Sequence, residues 1–217
     1  MLKIKRDINI WFCSDPHYNH KNLCRGVSSW DKSNYTRDFK SLDHMNQNLI
    51  DGINKNVKQN DILFCLGDWS FGGIDKIWKF RSQINCQKIH LILGNHDHHI
   101  ENRELIPSES NLSKPCEEIF ESINHYLQVE IDGSKFVLSH YPMASWNGLK
   151  KGWMHLFGHC HLLPHQRIRE GKSMDIGFDG HPEFRPYHLD EILFLLKNQP
   201  ISGITISKDI DHHQINR

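Results

Sequence analysis

One local pattern recurs three times in the first hundred residues: an apolar run that stops at a turn-forming polar cluster. Ile8–Cys13 leads into Ser14-Asp15-Pro16-His17, Asp61–Leu66 into Gly67-Asp68, and Lys88–Leu93 into Gly94-Asn95-His96-Asp97. Short apolar runs bounded by Gly, Pro, Asn and Asp read as strands. Between the first two, Phe39, Leu42, Met45, Leu49, Ile50, Ile53 and Val57 recur at spacings of three and four, which predicts an amphipathic helix, and Asp75–Ile84 reads as a second, shorter one. Strand, helix, strand, helix, strand is the βαβ arrangement, so the fold class is α/β. Right-handed crossovers make such strands parallel and bring their carboxyl ends to one edge. Open α/β sheets build their sites at that edge. Asp15, His17, Asp68, Asn95 and His96 all arrive there.

The second half reads differently. Glu101–Asp132 carries Glu101, Glu104, Glu109, Glu117, Glu118, Glu121, Glu130 and Asp132 against Arg103 and Lys114. This stretch is expected to be a solvated excursion, with a short helix near Glu117–Ile123. Tyr126–Ile131 and Lys135–Ser139 flank Asp132-Gly133, a hairpin signal, and His140-Tyr141-Pro142 ends the second arm. Trp153–Phe157 leads into Gly158-His159-Cys160-His161, and Met174–Phe178 is a further strand candidate. These runs predict mostly antiparallel strands packed beside the first unit. A chain of 217 residues fits a single domain over 1–217, with the acidic excursion at about 101–124 and a C-terminal tail from about 198.

Composition removes several classes of function. Lys plus Arg and Asp plus Glu both total 26, a formal net charge of +0, so no global field favours coating nucleic acid or a charged membrane. The runs Ile62–Leu66 and Ile192–Leu196 are far shorter than the roughly 20 residues a bilayer crossing needs. Asp7, Asn9 and Asp15 interrupt the only candidate for a secretory signal. Cys13, Cys24, Cys65, Cys86, Cys116 and Cys160 show no C-x-x-C spacing, so the expected compartment is the reducing cytosol. No obligate protein partner is evident, and no Walker loop, G-x-S-x-G elbow or H-E-x-x-H helix is present.

Histidine is the anomaly, at 17 residues. Asp15-x-His17, Gly67-Asp68, Gly94-Asn95-His96-Asp97, His140 and Gly158-His159-x-His161 each follow an apolar run. An Asp or Asn after one strand is an ordinary turn former. Such clusters after five strands, mixing oxygen with imidazole, point to a metal site. A two-metal hydrolase needs one carboxylate held between both cations, and Asp68 is the natural bridge.

The blocks D-x-H, G-D, G-N-H-D, H and G-H-x-H, in this order from about Ile8 to Phe178, resemble the calcineurin-like metallophosphoesterases. Asn19-His20-Lys21-Asn22, Leu66–Gly73 and Met174-Asp175-Ile176-Gly177 are similar to the small, stand-alone bacterial and phage members. The resemblance implies a four-layered α/β/β/α sandwich and two divalent metal ions, manganese foremost, with iron, zinc or nickel as alternatives. Asp15, His17, Asp68 and His161 would hold one ion, and Asp68, Asn95, His140 and His159 the other. It further implies attack on phosphorus by a metal-activated hydroxide, with Asn95 stabilising charge, His96 as general acid and Asp97 orienting its ring.

The expected substrate is a small phosphate mono- or diester or a nucleotide. A nuclease acting on nucleic acid is an alternative, given the basic excess of Lys150, Lys151, Arg167, Arg169 and Lys172 against Glu170. A catalytically weak binding scaffold is the other. His20 and Asn22 read as substrate or supporting contacts and Cys160 as filler. Trp30, Trp69, Trp146 and Trp153 read as core or lid rather than base-stacking rings. His98, His99 and Asp209–His213 read as solvated.

Overall fold

The structure is a computed structural model that describes residues 1–30, 36–102, 105–106, 114–115 and 119–201. The first half holds β1 (Leu2–Ile4), β2 (Ile10–Cys13), α1 (Leu42–Asn56), β3 (Ile62–Cys65), α2 (Ile74–Arg81), β4 (Lys88–Ile92) and α3 (His98–Glu101). The second half begins with β5 (Leu105–Ile106), β6 (Lys114–Pro115), β7 (Ser122–Asn124), β8 (Tyr126–Ile131) and β9 (Ser134–Ser139). It continues through β10 (Met154–Phe157), β11 (Ile168–Arg169), β12 (Ser173–Asp175), β13 (Tyr187–His188) and α4 (Leu189–Leu196).

The βαβ unit forms as the sequence predicts. β2, β3 and β4 pair in parallel within a sheet of order β13-β2-β3-β4-β7. All four residues of β3 are buried, which is why that run is continuously apolar instead of alternating. α1 starts where the Ser41 side chain accepts from the His44 N–H, an N-cap. Its Leu49, Ile50 and Ile53 pack with Ile77 and Phe80 of α2 over Leu63, Cys65, Ile89 and Leu91.

The other sheet has the order β1-β8-β9-β10-β12-β11. Phe12 and Phe64 stack 5.2 Å apart in the first sheet, and Phe12 meets Phe136 of the second at 5.8 Å. Leu138, Leu156, Met174 and Ile176 complete this core, and α4 adds Leu189, Ile192 and Leu196. The result is the sandwich that the resemblance implies: two parallel-rich sheets flanked by helices. No helix among the described residues is long and apolar enough to cross a membrane.

Two expectations need correction. The helix near Glu117–Ile123 is cut short: of its described residues only Ile119 is helical, in 3-10 form, and Ser122–Asn124 is β7, paired in parallel with β4, while 116–118 lie outside the described residues. Its polar and acidic residues hid an edge strand that uses main-chain bonds more than burial. The second half is also not mostly antiparallel. β8–β9 and β11–β12 are antiparallel, but β1–β8, β9–β10 and β10–β12 are parallel. Asp132 and Gly133, both at positive φ, announce the tight β8–β9 hairpin. The crossover at 140–153 carries only a 3-10 turn, Leu149–Lys151, so no helical periodicity signals it. Half of the acidic excursion at 101–124 and the tail from 202, with Asp209–His213, lie outside the described residues.

Candidate active site

Loops at the carboxyl ends of strands in both sheets converge on one cleft. Asp15 and His17 follow β2, Asp68 follows β3, and Asn95, His96 and Asp97 follow β4, while His140 follows β9 and His159 and His161 follow β10. Five of these residues adopt left-handed backbone: Asp15 (φ 54°), His17 (48°), Asp68 (55°), His159 (68°) and His161 (49°). Each such non-glycine residue costs on the order of 1–3 kcal/mol and persists only where its surroundings hold it. Here Asp15 N–H donates to Gly67 O at 3.0 Å and His17 N–H to Asp68 O at 2.9 Å, tying two loops into one unit. The glycines of the motifs serve close approach. A Cβ at Gly94 would strike the Asp68 carboxylate, and one at Gly158 would strike Ser14 and the Asp15 carboxylate.

The side chains of these loops form two donor groups, Asp15 with His17 and His161, and Asp68 with His140 and His159; within each, the ligand atoms lie within 4.8 Å of one another. Asp68 Oδ2 stands between them, 3.3 Å from His17 Nε2 and 3.5 Å from His140 Nε2. The hydrogen bonding fits cations. His140 Nδ1 lies 2.7 Å from the Leu66 carbonyl, which accepts its proton and leaves only a lone pair on Nε2 in the neutral ring. That lone pair faces Asn95 Oδ1 at 3.1 Å and Asp68 Oδ2: acceptors face acceptors. Asp15 Oδ1 and His17 Nδ1 are buried without a hydrogen-bond partner. Burial, reinforced by the neighbouring His161 and Arg37, holds His17 well below the usual imidazole range, and burial likewise lowers His159. Neutral imidazole is the form that binds metal.

Three supporting residues escaped sequence reasoning or were given another part. Asp179, from the turn after β12, takes His161 Nδ1 at 2.7 Å. Arg37 grips Asp179 with Nε and Nη2, both at 2.9 Å, and donates to Asp15 O at 2.7 Å and Pro16 O at 2.8 Å. Burial alone would raise Asp179, but the Arg37 charge and the His161 bond hold it well below the carboxylate range. Burial would lower His161, yet Asp179 and Asp15 lift it to about 9. No motif announces Arg37 or Asp179; the sole hint was Asp179 following the Met174–Gly177 phrase.

Asp97 is the correction. Its carboxylate does not serve the His96 ring: it accepts from the backbone N–H of Gly94 (2.9 Å), Asp68 (2.8 Å) and Trp69 (2.9 Å). It therefore locks the Asp68 turn to the Asn95 loop. Burial pushes it up to about 7, partly offset by those amides.

Comparison with known proteins agrees with this geometry. The sequence model of the calcineurin-like phosphoesterases matches residues 8–196. The chain belongs to that family. It is thus a metal-dependent hydrolase acting on phosphoester bonds. An uncharacterized protein of Methanocaldococcus jannaschii is 29% identical over 154 residues, 70% of this chain and 69% of its own. A protein of unknown function from Aquifex aeolicus shares the fold, with TM-score 0.61 and 22% identity over 87% of this chain and 100% of its own. An archaeal phosphodiesterase aligns at TM-score 0.44 and 19% identity over 84% of this chain and 99% of its own.

The cleft of this phosphoesterase is a cavity of about 1080 Å³. His96 lines it, its ring 5.4 Å from both His17 and Phe71, while its N–H donates to Asp68 Oδ1 at 2.9 Å. His20 also lines it, edge-on to Phe71 at 4.1 Å, and burial lowers its pKa to about 4. Asn22 instead accepts from Ser29, shaping the neighbouring turn. Trp69 and Trp146 are buried and Trp153 partly so, whereas Trp30 stands 45% exposed on the cavity wall. Cys160 also borders the cavity but joins neither donor group. The basic excess does not gather here: Arg167 donates to Gly180 O, and Lys172 to the carbonyls of Leu196 and Lys197 at the end of α4.

Proposed function

We propose that the protein hydrolyses a small phosphate mono- or diester using two divalent cations, one held by Asp15, His17, Asp68 and His161 and the other by Asp68, Asn95, His140 and His159. The observation that carries this reading is the convergence of the acceptor atoms Asp15 Oδ1, Asp68 Oδ2 and Asn95 Oδ1 with His140 Nε2, where Asp15 Oδ1 is buried without a hydrogen-bond partner. Mixed carboxylate and imidazole donors without thiolate suit manganese, with iron, zinc or nickel as alternatives. Bound there, such ions supply Lewis acidity and make water acidic enough to act as a nucleophile near neutral pH.

The chain's own residues do the rest. Leu66 O and Asp179 fix the ring orientations of His140 and His161, so that each turns Nε2 inward. Asp97 fixes the distance between the Asp68 and Asn95 loops. His96, at the cavity surface and close to the Asp68 carboxylate, delivers a proton to the departing oxygen. A positioned acid of this kind contributes roughly a hundred- to ten-thousandfold in rate.

Among the described residues, no Lys or Arg lines the cavity, which favours a small ester or nucleotide over a nucleic acid, whose affinity rests on phosphate neutralisation. The free thiols Cys13, Cys24, Cys65 and Cys86 suit a reducing compartment such as the cytosol. The test is hydrolysis of bis- and mono-p-nitrophenyl phosphate by protein supplied with manganese, iron or zinc, alongside metal content by mass spectrometry. Turnover with two bound ions per chain is expected. A folded protein that binds ions and turns over neither ester would favour the binding scaffold.

A further inference from the structure

The cavity is much larger than a phosphate group, for which a few donors around two ions suffice. At about 1080 Å³ it has the capacity of sites that enclose ligands of drug size, about 300–1,000 Å³. Its walls combine polar and apolar side chains. Besides His17 and Asp68, the lining includes Leu23, Trp30, Leu162 and Leu163. Trp30 and Leu163 leave 45% and 47% of their surface exposed. Large exposed apolar side chains that line one cavity signify a binding surface more than scattered ones do.

The wall is built. Asn22 Oδ1 accepts from Ser29 N–H at 3.2 Å and Ser29 Oγ at 2.9 Å, and Trp30 N–H donates to Ser28 Oγ at 3.1 Å, so side-chain bonds hold the turn that carries the indole. The Trp30 ring meets the edge of His20 at 5.7 Å, and His20 stands 5.2 Å from His17. Two ring-to-ring steps therefore separate the indole from a metal-group histidine. Gln166 and Thr36 add polar atoms to the same cavity. A flat, uncharged, heteroaromatic group with hydrogen-bonding edges matches this combination, and a polyanion does not.

We infer that Trp30 and Leu163 form a stacking subsite for the base of a nucleotide, whose phosphate lies at the Asp15 and Asp68 donor groups. This assignment rests on the phosphoesterase reading and adds the substrate class to it: nucleoside phosphate esters. Trp30 supplies the π-face and Leu163, from a separate loop, the apolar counterpart. Base–aromatic stacking tolerates different bases because every base has a π-face, so the subsite selects nucleotides over other phosphates more than one base over another.

The test is calorimetric binding of AMP, ribose 5-phosphate and hexyl phosphate to the manganese-supplied protein, which does not depend on turnover. AMP is expected to bind about 10-fold or more tighter than ribose 5-phosphate, and Trp30→Ala to bring the two within about 3-fold of each other. Trp30→Phe, which keeps a ring, retains most of the preference. Leu163→Ala, on the other loop, reduces it as well. Equal affinity of AMP and ribose 5-phosphate for the unaltered protein overturns the subsite, as does a preference that Trp30→Ala leaves intact. Tighter binding of hexyl phosphate than of AMP overturns the assignment to a base in favour of an aliphatic group. Any of these results in a protein that hydrolyses bis-p-nitrophenyl phosphate removes the subsite and leaves the phosphoesterase reading standing.

Discussion

Asp179→Asn separates a residue that shapes the metal groups from one that merely helps the chain fold. The substitution keeps the side chain's outline and replaces one oxygen by an amide nitrogen. In the native arrangement Asp179 receives three donors, Arg37 Nε, Arg37 Nη2 and His161 Nδ1, at 2.9, 2.9 and 2.7 Å. An amide satisfies only part of this set. If its oxygen stays with Arg37 Nε, its NH2 faces His161 and selects the tautomer with the proton on Nε2, the nitrogen 3.8 Å from Asp15 Oδ1. That proton closes the lone pair a cation needs. Loss of such an outer partner weakens metal affinity about 10- to 100-fold, or roughly 1.4 to 2.7 kcal/mol. Manganese titration of metal-free protein, read by calorimetry and by the resonance of free Mn2+, measures it. One of two sites is expected to weaken by that factor, while the Asp68, His140 and His159 site stays within about 3-fold. Two unaltered affinities would refute the reasoning, as would equal loss at both sites accompanied by loss of cooperative unfolding.

Other perturbations probe different parts of the molecule. Asp68→Asn, at the carboxylate between His17 and His140, should cut bound metal and abolish turnover with the far-ultraviolet circular dichroism unchanged; two retained ions contradict the bridging role. His96→Ala should slow alkyl phosphate esters about 100-fold more than p-nitrophenyl esters, since only the poor leaving group needs the acid, and equal losses on both remove it from that part. Gly158→Ala drives a methyl group into Ser14 and the Asp15 carboxylate and should cost about 1–3 kcal/mol together with metal affinity. Unchanged manganese binding and melting temperature would show that the loop yields. His155, remote from the donor groups, accepts from Met143 N–H through Nε2 and donates to Val137 O, and burial lowers its pKa from 6.5 to about 4. Its folded state prefers the neutral ring, so its contribution is present above pH 6.5 and disappears as pH falls toward 4, about 3 kcal/mol in all. Urea unfolding at pH 7 and pH 4.5, with His155→Gln for comparison, checks this; identical pH dependence in both proteins counts against it.

The sequence exposed the floor of the cleft because that floor consists of strand ends. A buried parallel strand must be apolar throughout, and its exit into a tight turn forces Gly, Asp or Asn, so β2, β3 and β4 and the residues after them stand out from one another without any knowledge of tertiary structure. His159 and His161 were visible for the same reason after β10. Arg37 and Asp179 were not, because their meaning lies in a pairing across 142 positions of sequence that no local spacing encodes. Asp97 was misread since a carboxylate beside His96 in sequence suggests a partner for its ring. Its left-handed neighbour Asp68 instead presents backbone amides that a buried carboxylate satisfies better. The parallel pairing of β10 was hidden by a crossover without a regular helix, and β7 by its polar residues.

Each donor group draws on both layers of the sandwich: Asp15, His17, Asp68 and Asn95 ride on the first sheet, His140, His159 and His161 on the second. Main-chain bonds from Ser14 to Ile176 and from Phe178 to Ser14 cross the same seam. A captured cation would therefore act as a rivet through two plates, and chelation should loosen the joint before either plate frays. Amide exchange along β2 and β10 would then report the state of the cleft from strands buried between the two sheets.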